Sequence, residues 1–275
     1  MKRAGVTLVE MMIALVILSV FASTLTLMVV RSSVTDEAVD ARREARGVAR
    51  ASLNIVESEM RMAEPSGVIV PTDDSTLTFN QPFAFGLVCG VTGGNAVISL
   101  LPSADLPGSL TVDGYAGWAY RDSTGTYQYQ PTTSLSGGTT GTCTAANIAA
   151  FTASSGRVVQ VPSGVALASG TVAFLYRQIT YSLRASTALP GRRGLYRTAG
   201  ANAAEELATP FASTARFRWY ILGAAEADDT LPTDFEDLSG VQFVLTAESK
   251  LTPRTSTAPV QAPFTTSVFF QNRPN

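Results

Sequence analysis

A single carboxylate, Glu10, sits near the start of a strongly apolar stretch. Val6 to Val9 precede it, and Met11 to Val30 follow with no charge, glycine or proline over 20 residues. An acid at the centre of a membrane helix costs on the order of 2.5 to 3.5 kcal/mol, and less near the interface, so Glu10 needs a reason. Farther along, Glu226, Asp228, Asp229, Asp234, Glu236 and Asp237 form an acidic cluster. Several oxygen ligands in one loop suit a hard cation such as calcium, which makes Asp228, Asp229, Asp234 and Asp237 the candidate ligands. Their spacing is not that of an EF-hand, and a solvated acidic loop explains them without a metal. Arg192, Arg193 and Arg197 offer a small basic patch that could meet phosphates, or simply a solubilising turn. The chain has no histidine, which removes Ser/His/Asp and Cys/His catalysis and His-containing zinc sites. Neither a GxGxxG nor a GxxxxGK[ST] phosphate loop is present. The residues therefore point away from an enzyme, and no cofactor is expected.

The elements that must position these groups begin with a helix. Met11 to Val30, at ~1.5 Å per residue, spans ~30 Å and matches a bilayer core. Lys2 and Arg3 bias the N-terminus toward the cytoplasm, which places everything beyond about Arg31 across the membrane. From Arg31 to Glu64 there is no proline and one glycine, Gly47, so the helix is predicted to continue to Pro65. Val34, Ala38, Ala41, Ala45, Val48, Ser52 and Ile55 form a narrow apolar stripe able to pack on a sheet. The other faces carry Asp36, Glu37, Asp40, Arg42, Arg43, Glu44, Arg46, Arg50, Glu57, Glu59 and Arg61, with both signs mixed. Those charges read either as a solvated surface with weak i,i+4 pairs or as selectors of neighbouring subunits.

The remainder reads as one β-rich domain. The chain holds 20 Lys plus Arg against 22 Asp plus Glu, a balance unlike that of a general nucleic-acid binder. Candidate strands are Ser66 to Val70, Thr76 to Phe79, Gly86 to Val91, Asn95 to Leu100, Thr171 to Arg184, Gly194 to Thr198, Ala215 to Leu222, Gly240 to Ala247 and Thr265 to Gln271. The stretch from Asp105 to Ala150, with Tyr115, Trp118, Tyr120, Tyr127 and Tyr129, reads as a surface excursion or as aromatics filling strand faces. Cys89 and Cys143 lie in the exported part, where an oxidising compartment permits a disulfide, and no CxxC or ligand cluster recommends them as free thiols. The expected fold class is α+β: a long N-terminal helix packed on an antiparallel β-rich head.

The basic leader Lys2-Arg3, then Gly5, then Val6-Thr-Leu-Val-Glu10 and the apolar run resemble the class III signal of the type IV pilin and pseudopilin superfamily. In that family a prepilin peptidase cuts after the glycine, which implies cleavage between Gly5 and Val6 and N-methylation of Val6. The resemblance implies that Glu10 pairs with such an amine, its own or a neighbour's, during assembly. An ordinary secretory signal cut after Ala22, or a plain signal anchor, are the alternatives, and neither accounts for Glu10. The implied organisation is a leader at 1–5, an assembly helix at 6–30, its amphipathic continuation at 31–64 and a head at 65–275.

A second resemblance lies toward the C-terminus. Ile179-Thr-Tyr-Ser-Leu-Arg184, Gly194-Leu-Tyr-Arg197, Phe217-Arg-Trp-Tyr220, Gly240-Val-Gln-Phe-Val-Leu-Thr246 and Phe264-Thr-Thr-Ser-Val-Phe-Phe-Gln-Asn-Arg273 look like the distal half of PilW-type minor pilins. The J-type minor pseudopilins of type II secretion are similar in order. These resemblances imply a minor type IV pilin acting at the initiation or tip of a pilus, with a secretion pseudopilin or a tip module binding DNA or a surface as alternatives. The implied partners are other pilins, prepilin peptidase, the inner-membrane assembly platform and the inner membrane itself. Nucleic acid has only the three arginines in its favour. The implied location is the inner membrane with a periplasmic head, then a pilus or pseudopilus.

Overall fold

The chain begins with one uninterrupted helix, α1 (Leu8–Met60), whose length follows from the absence of proline and the density of Ala, Leu, Met, Glu and Arg. A computed structural model describes residues 8–63, 67–69, 73–102, 112–151, 156–230, 238–254 and 256–270. The strand predicted from Ser66 is seen as β1 (Val68–Ile69), and Pro65 and Gln271 lie outside the described residues. Then follow β2 (Thr76–Thr92), β3 (Asn95–Leu100), β4 (Tyr115–Arg121), β5 (Tyr127–Pro131), β6 (Ser136–Gly137) and a short helix α2 (Thr140–Ala145). The C-terminal part supplies β7 (Arg157–Pro162), β8 (Val172–Ala185), β9 (Arg193–Ala199), β10 (Glu205–Phe211), β11 (Arg216–Ile221), β12 (Leu238–Glu248) and β13 (Gln261–Phe269). The expected α+β class, a long helix on an antiparallel head, is what the structure displays.

Among the described residues the strands form a single sheet ordered β11-β12-β10-β9-β8-β2-β3-β7-β6, with β13 beside β12 and the β4–β5 hairpin beside β8. Its spine is the pair β2 and β8, which run antiparallel from Thr76↔Ser182 to Leu87↔Val172. The two separate strands expected at 76–79 and 86–91 are one. Pro82 lies at a register shift between Pro82 and Ala84, so the missing N–H falls at a bulge and the strand passes through it. Strand β8 is long enough to serve two neighbours: Ala173 to Arg177 border β4, and Ile179 to Ala185 border β9.

One segment decides between two readings left open, and others depart from the sequence reading. The Asp105–Ala150 aromatics are strand residues: Trp118 is fully buried and its indole N–H donates to the Pro162 carbonyl at 3.0 Å. Gly117 makes this docking possible, since its φ of +154° lies at a β4 register shift and a Cβ there would stand 2.3 Å from the Gln130 carbonyl oxygen. Strands β7 and β10 were not anticipated; Glu205–Phe211, with two acids and a proline, carries little of the alternating apolar pattern that marks a strand. The stripe on α1 is also shifted. The buried residues are Ala41, Ala45, Ala49, Ser52, Leu53, Val56 and Met60, whereas Val48 is half-buried and Ile55 exposed. Alternating steps of three and four follow a 3.5-residue repeat, but a straight helix turns every 3.6 residues, so the contact line drifts by one position toward its C-terminal end.

That line meets a core of Phe79, Tyr181, Leu195, Phe217, Trp219 and Phe243. Alanines at 41, 45 and 49 bring the helix close to the sheet where it first arrives, and Leu53, Val56 and Met60 fill the wider space beyond. One polar clamp completes the docking. The Arg197 guanidinium donates to both Glu59 oxygens at 2.8 to 3.1 Å, and the Tyr181 hydroxyl donates to Oε2 at 2.6 Å. Burial and the adjacent carboxylate push the Tyr181 phenol well above its ordinary range. Glu59→Ala would leave Arg197 without its counter-ion in a mostly buried setting. A loss of about 2 to 3 kcal/mol is expected, below the 3–5 kcal/mol of fully buried pairs because both groups retain some exposure, and denaturant unfolding measures it.

Candidate assembly helix and its supports

The helix α1 divides into two physically different halves. Buried positions begin at Ala41. Before that point, apolar side chains such as Met11, Leu15, Leu18 and Phe21 are each more than half exposed and touch no part of the head. Among the described residues this is the one helix long and apolar enough to cross a membrane. Polar residues within it are satisfied internally. Ser19 donates to Val16 O at 2.8 Å, Ser23 to Val20 O at 2.8 Å, Thr24 to Phe21 O at 2.9 Å and Thr26 to Ala22 O at 2.8 Å. Hydroxyls bonded back to the preceding turn can sit in hydrocarbon without an orphaned donor. Hydropathy patterns do not register this, because it depends on side-chain rotation.

Glu10 lies in the first described turn of α1. Gly5 and Val6 lie outside the described residues, so the geometry of a Val6–Glu10 pair does too. The carboxylate stands in the first described turn of an exposed apolar segment, remote from the buried part of α1.

The head-borne candidates are dispersed. Of the two readings left open for Arg192, Arg193 and Arg197, a basic patch or a solubilising turn, the structure shows neither as a free cluster. Arg192 pairs with Glu248, Arg193 donates to the carbonyls of Leu183, Ser213 and Ala215, and Arg197 holds Glu59. Each guanidinium is spent on a contact within the fold. In the acidic loop, Asp229 Oδ1 accepts from Arg216 Nε at 2.9 Å and Arg218 Nε at 3.0 Å. Asp228 Oδ1 accepts from the Thr230 backbone N–H at 3.0 Å, while its backbone bridges to Trp219. Asp234 and Asp237 lie outside the described residues. No group of three or more potential ligands converges among the described residues.

Cys89 on β2 and Cys143 on α2 are joined, with a Cα–Cα separation of 4.6 Å across 54 residues of sequence. The bond lies in a small apolar cluster with Val97 and Val158 and fixes α2 to the far end of the sheet from α1. Glu206 is a support that sequence reading missed. Its carboxylate accepts from Ser186, from the Thr187 N–H and hydroxyl, and from Tyr196, locking the turn between β8 and β9. Burial works against its charge, but these hydrogen bonds outweigh burial and hold the carboxyl at about 2. A carboxyl held below its unfolded value binds fewer protons folded than unfolded. Its contribution is therefore whole above the ordinary glutamate range and fades as pH falls from about 4.5 toward 2. Thermal unfolding against pH is expected to show Glu206→Gln less stable than the native chain at pH 6, with the two curves converging near pH 2.

Residues 1–26 match the family described as the prokaryotic N-terminal methylation motif. That match supports a place in the type IV pilin-like superfamily and covers Gly5, Val6 and Glu10 within one motif. No curated protein and no solved structure matches the chain.

Proposed function

We propose that this chain is a minor type IV pilin, a structural subunit cleaved between Gly5 and Val6, methylated on Val6, and assembled through α1 at the initiation or tip of a pilus. The observation that carries the reading is the division of α1. Its first half is exposed and apolar with one acid near its start, and its second half is built into the head. An apolar rod with nothing to cover it needs first a bilayer and then other rods. Glu10 supplies register, because a carboxylate among packed helices is unfavourable until an amine reaches it. The motif at residues 1–26 supports cleavage by a prepilin peptidase and methylation of the amine it exposes.

The size of the head supports a minor position, since a bulky domain suits an end of a filament better than repetition along it. The head's partners are then other pilins and the assembly platform at the inner membrane, with the head on the periplasmic side before assembly. The engagement of Arg192, Arg193 and Arg197 inside the fold weighs against a nucleic-acid role for them. Mass spectrometry of the N-terminal peptide from sheared surface filaments and from membranes tests the proposal. N-methylated Val6 in the filaments is the expected result. The same terminus confined to membranes would favour a secretion pseudopilin, and a chain beginning at Met1 or Ser23 would overturn the reading.

A further inference from the structure

Where β10 and β12 part, the sheet has an empty lane. Strand β10 is paired along one side with β9, but on the other it meets β12 at a single position, Phe211↔Ala247. Beyond Ala247 the chain stays with β13, since Glu248 faces Gln261 and the Ser249 N–H donates to the Val260 carbonyl. Glu205 to Thr209 therefore have no strand beside them on that side among the described residues. A cleft of about 850 Å³ lies there, lined by Gly47, Val48 and Ala51 of α1, by the β8–β9 turn at 187–189, by β10 at 206–209 and by Lys250.

The lining describes what fits it. A strand without a neighbour presents a row of N–H and C=O groups, and a second extended backbone answers such a row. At ~3.3 Å per residue, Glu205 to Thr209 span ~16 Å, room for a segment of about five residues. Register shifts on both sides of Ala208, and Pro210 with no N–H, keep this edge from open-ended pairing, so it suits a short segment. The charges in the cleft are already used: Glu206 accepts from Ser186, Thr187 and Tyr196, and Lys250 lies 3.5 Å from Glu44. An uncharged segment meets no unanswered ion here. The helix wall is bare. Gly47 is the one glycine of α1, and a Cβ there would meet nothing within 4 Å, so no contact inside the fold requires it. Glycine is unfavourable in a helix interior, but with Ala51 one turn on it lets another backbone approach α1 closely from the cleft.

We infer that this cleft receives a short, extended, uncharged segment of a different subunit, which enters as an added strand on β10 and lies against α1 at Gly47. The chemistry of the segment follows from the cleft. Its source rests on the proposed place at the end of a filament, where this chain meets other pilins rather than a run of its own copies. A strand seated here touches α1 and β10 together, so docking holds the partner where the rod joins the head.

The test uses the full-length chain in detergent, with a capped, uncharged pentapeptide of alternating valine and threonine as the probe. Hydrogen exchange read by mass spectrometry is expected to slow at the amides of 205–209 when the peptide binds. The same peptide N-methylated at alternate residues keeps its side chains but loses the N–H groups of one edge, and is expected to bind about tenfold more weakly. Gly47→Leu and, separately, Ala51→Leu place a side chain in the cleft. Each is expected to keep the native thermal midpoint or exceed it while peptide affinity falls about tenfold. No slowing at 205–209 with about 1 mM peptide, equal binding of the N-methylated form, or native affinity in both leucine variants would overturn the inference. So would slowing by dodecanoate and not by the peptide, which would assign the cleft to an acyl chain. For the source, p-benzoylphenylalanine in place of Ala188 is cross-linked by light in cells and the adducts are sequenced. A segment of another subunit carrying the N-terminal methylation motif is expected, and an adduct with a second copy of this chain would overturn that assignment. N-terminal mass spectrometry on the same cells separates the two levels: methylated Val6 with no slowing at β10 refutes the cleft alone, and slowing with an unprocessed terminus refutes the filament role alone.

Discussion

Glu10→Leu is expected to leave the chain inserted in the membrane and deplete it from filaments by at least tenfold. Leucine lowers the cost of placing this turn in hydrocarbon, so insertion has no reason to fail. What is lost is the penalty for wrong register. With glutamate, a mispaired neighbour leaves a buried charge unanswered, a state disfavoured by about 3 to 5 kcal/mol, whereas leucine packs equally well at every offset. Immunoblots of sheared filaments and membranes, with the native chain as reference, give the ratio. A Glu10→Leu chain entering filaments at native levels would show that the carboxylate has no part in assembly.

Removal of the Cys89–Cys143 bond is the largest expected change in head stability. Closing a loop of 54 residues restricts the unfolded chain and stabilises the fold by roughly 4 kcal/mol in the chain-entropy account. The loop contains β3, β4, β5 and β6, which explains why one covalent tie at its ends is effective. The Cys89→Ala/Cys143→Ala double variant should unfold about 8 to 16 °C below the native chain, the shift appropriate to a domain of this size. Reductant should lower the native chain by a similar amount and leave the double variant unchanged. A midpoint within 2 °C of native would mean that the apolar cluster around Val97 and Val158 holds this end without help.

The helix and its division were legible because they rest on one-dimensional signals: an unbroken apolar run, then charges without proline. Strands β8, β9, β11 and β12 were legible for the same reason, as alternating or continuous apolar runs between turns. The Trp118 hairpin was ambiguous because Trp118 is buried beside β8 and bonded to the Pro162 carbonyl, both distant in sequence. Strand β10 was illegible, since Glu206 faces a turn of hydroxyl donors rather than water. The arginines were ambiguous in a similar way: Arg192 lies just before β9, Arg193 and Arg197 lie within it, and each ends on a different partner distant in sequence. Glu10 stood out from sequence alone because a charge in an apolar run is conspicuous without any fold.

The sharing of β8 between β4 and β9 has a mechanical consequence. The core that receives α1 contains Phe79, Tyr181, Leu195 and Phe243, whereas Trp118, Ile98, Val159 and the disulfide belong to clusters that contain no α1 residue. A pull on α1 would therefore reach the head through Glu59–Arg197, Glu44–Lys250 and the alanine seam, and would load the C-terminal strands together with the Leu77–Phe79 end of β2. The disulfide-tied half hangs from β2 and β8 outside that line of force. It can be stretched or deformed by whatever touches it while the rod remains seated, so the head works as a loaded bracket carrying an unloaded arm.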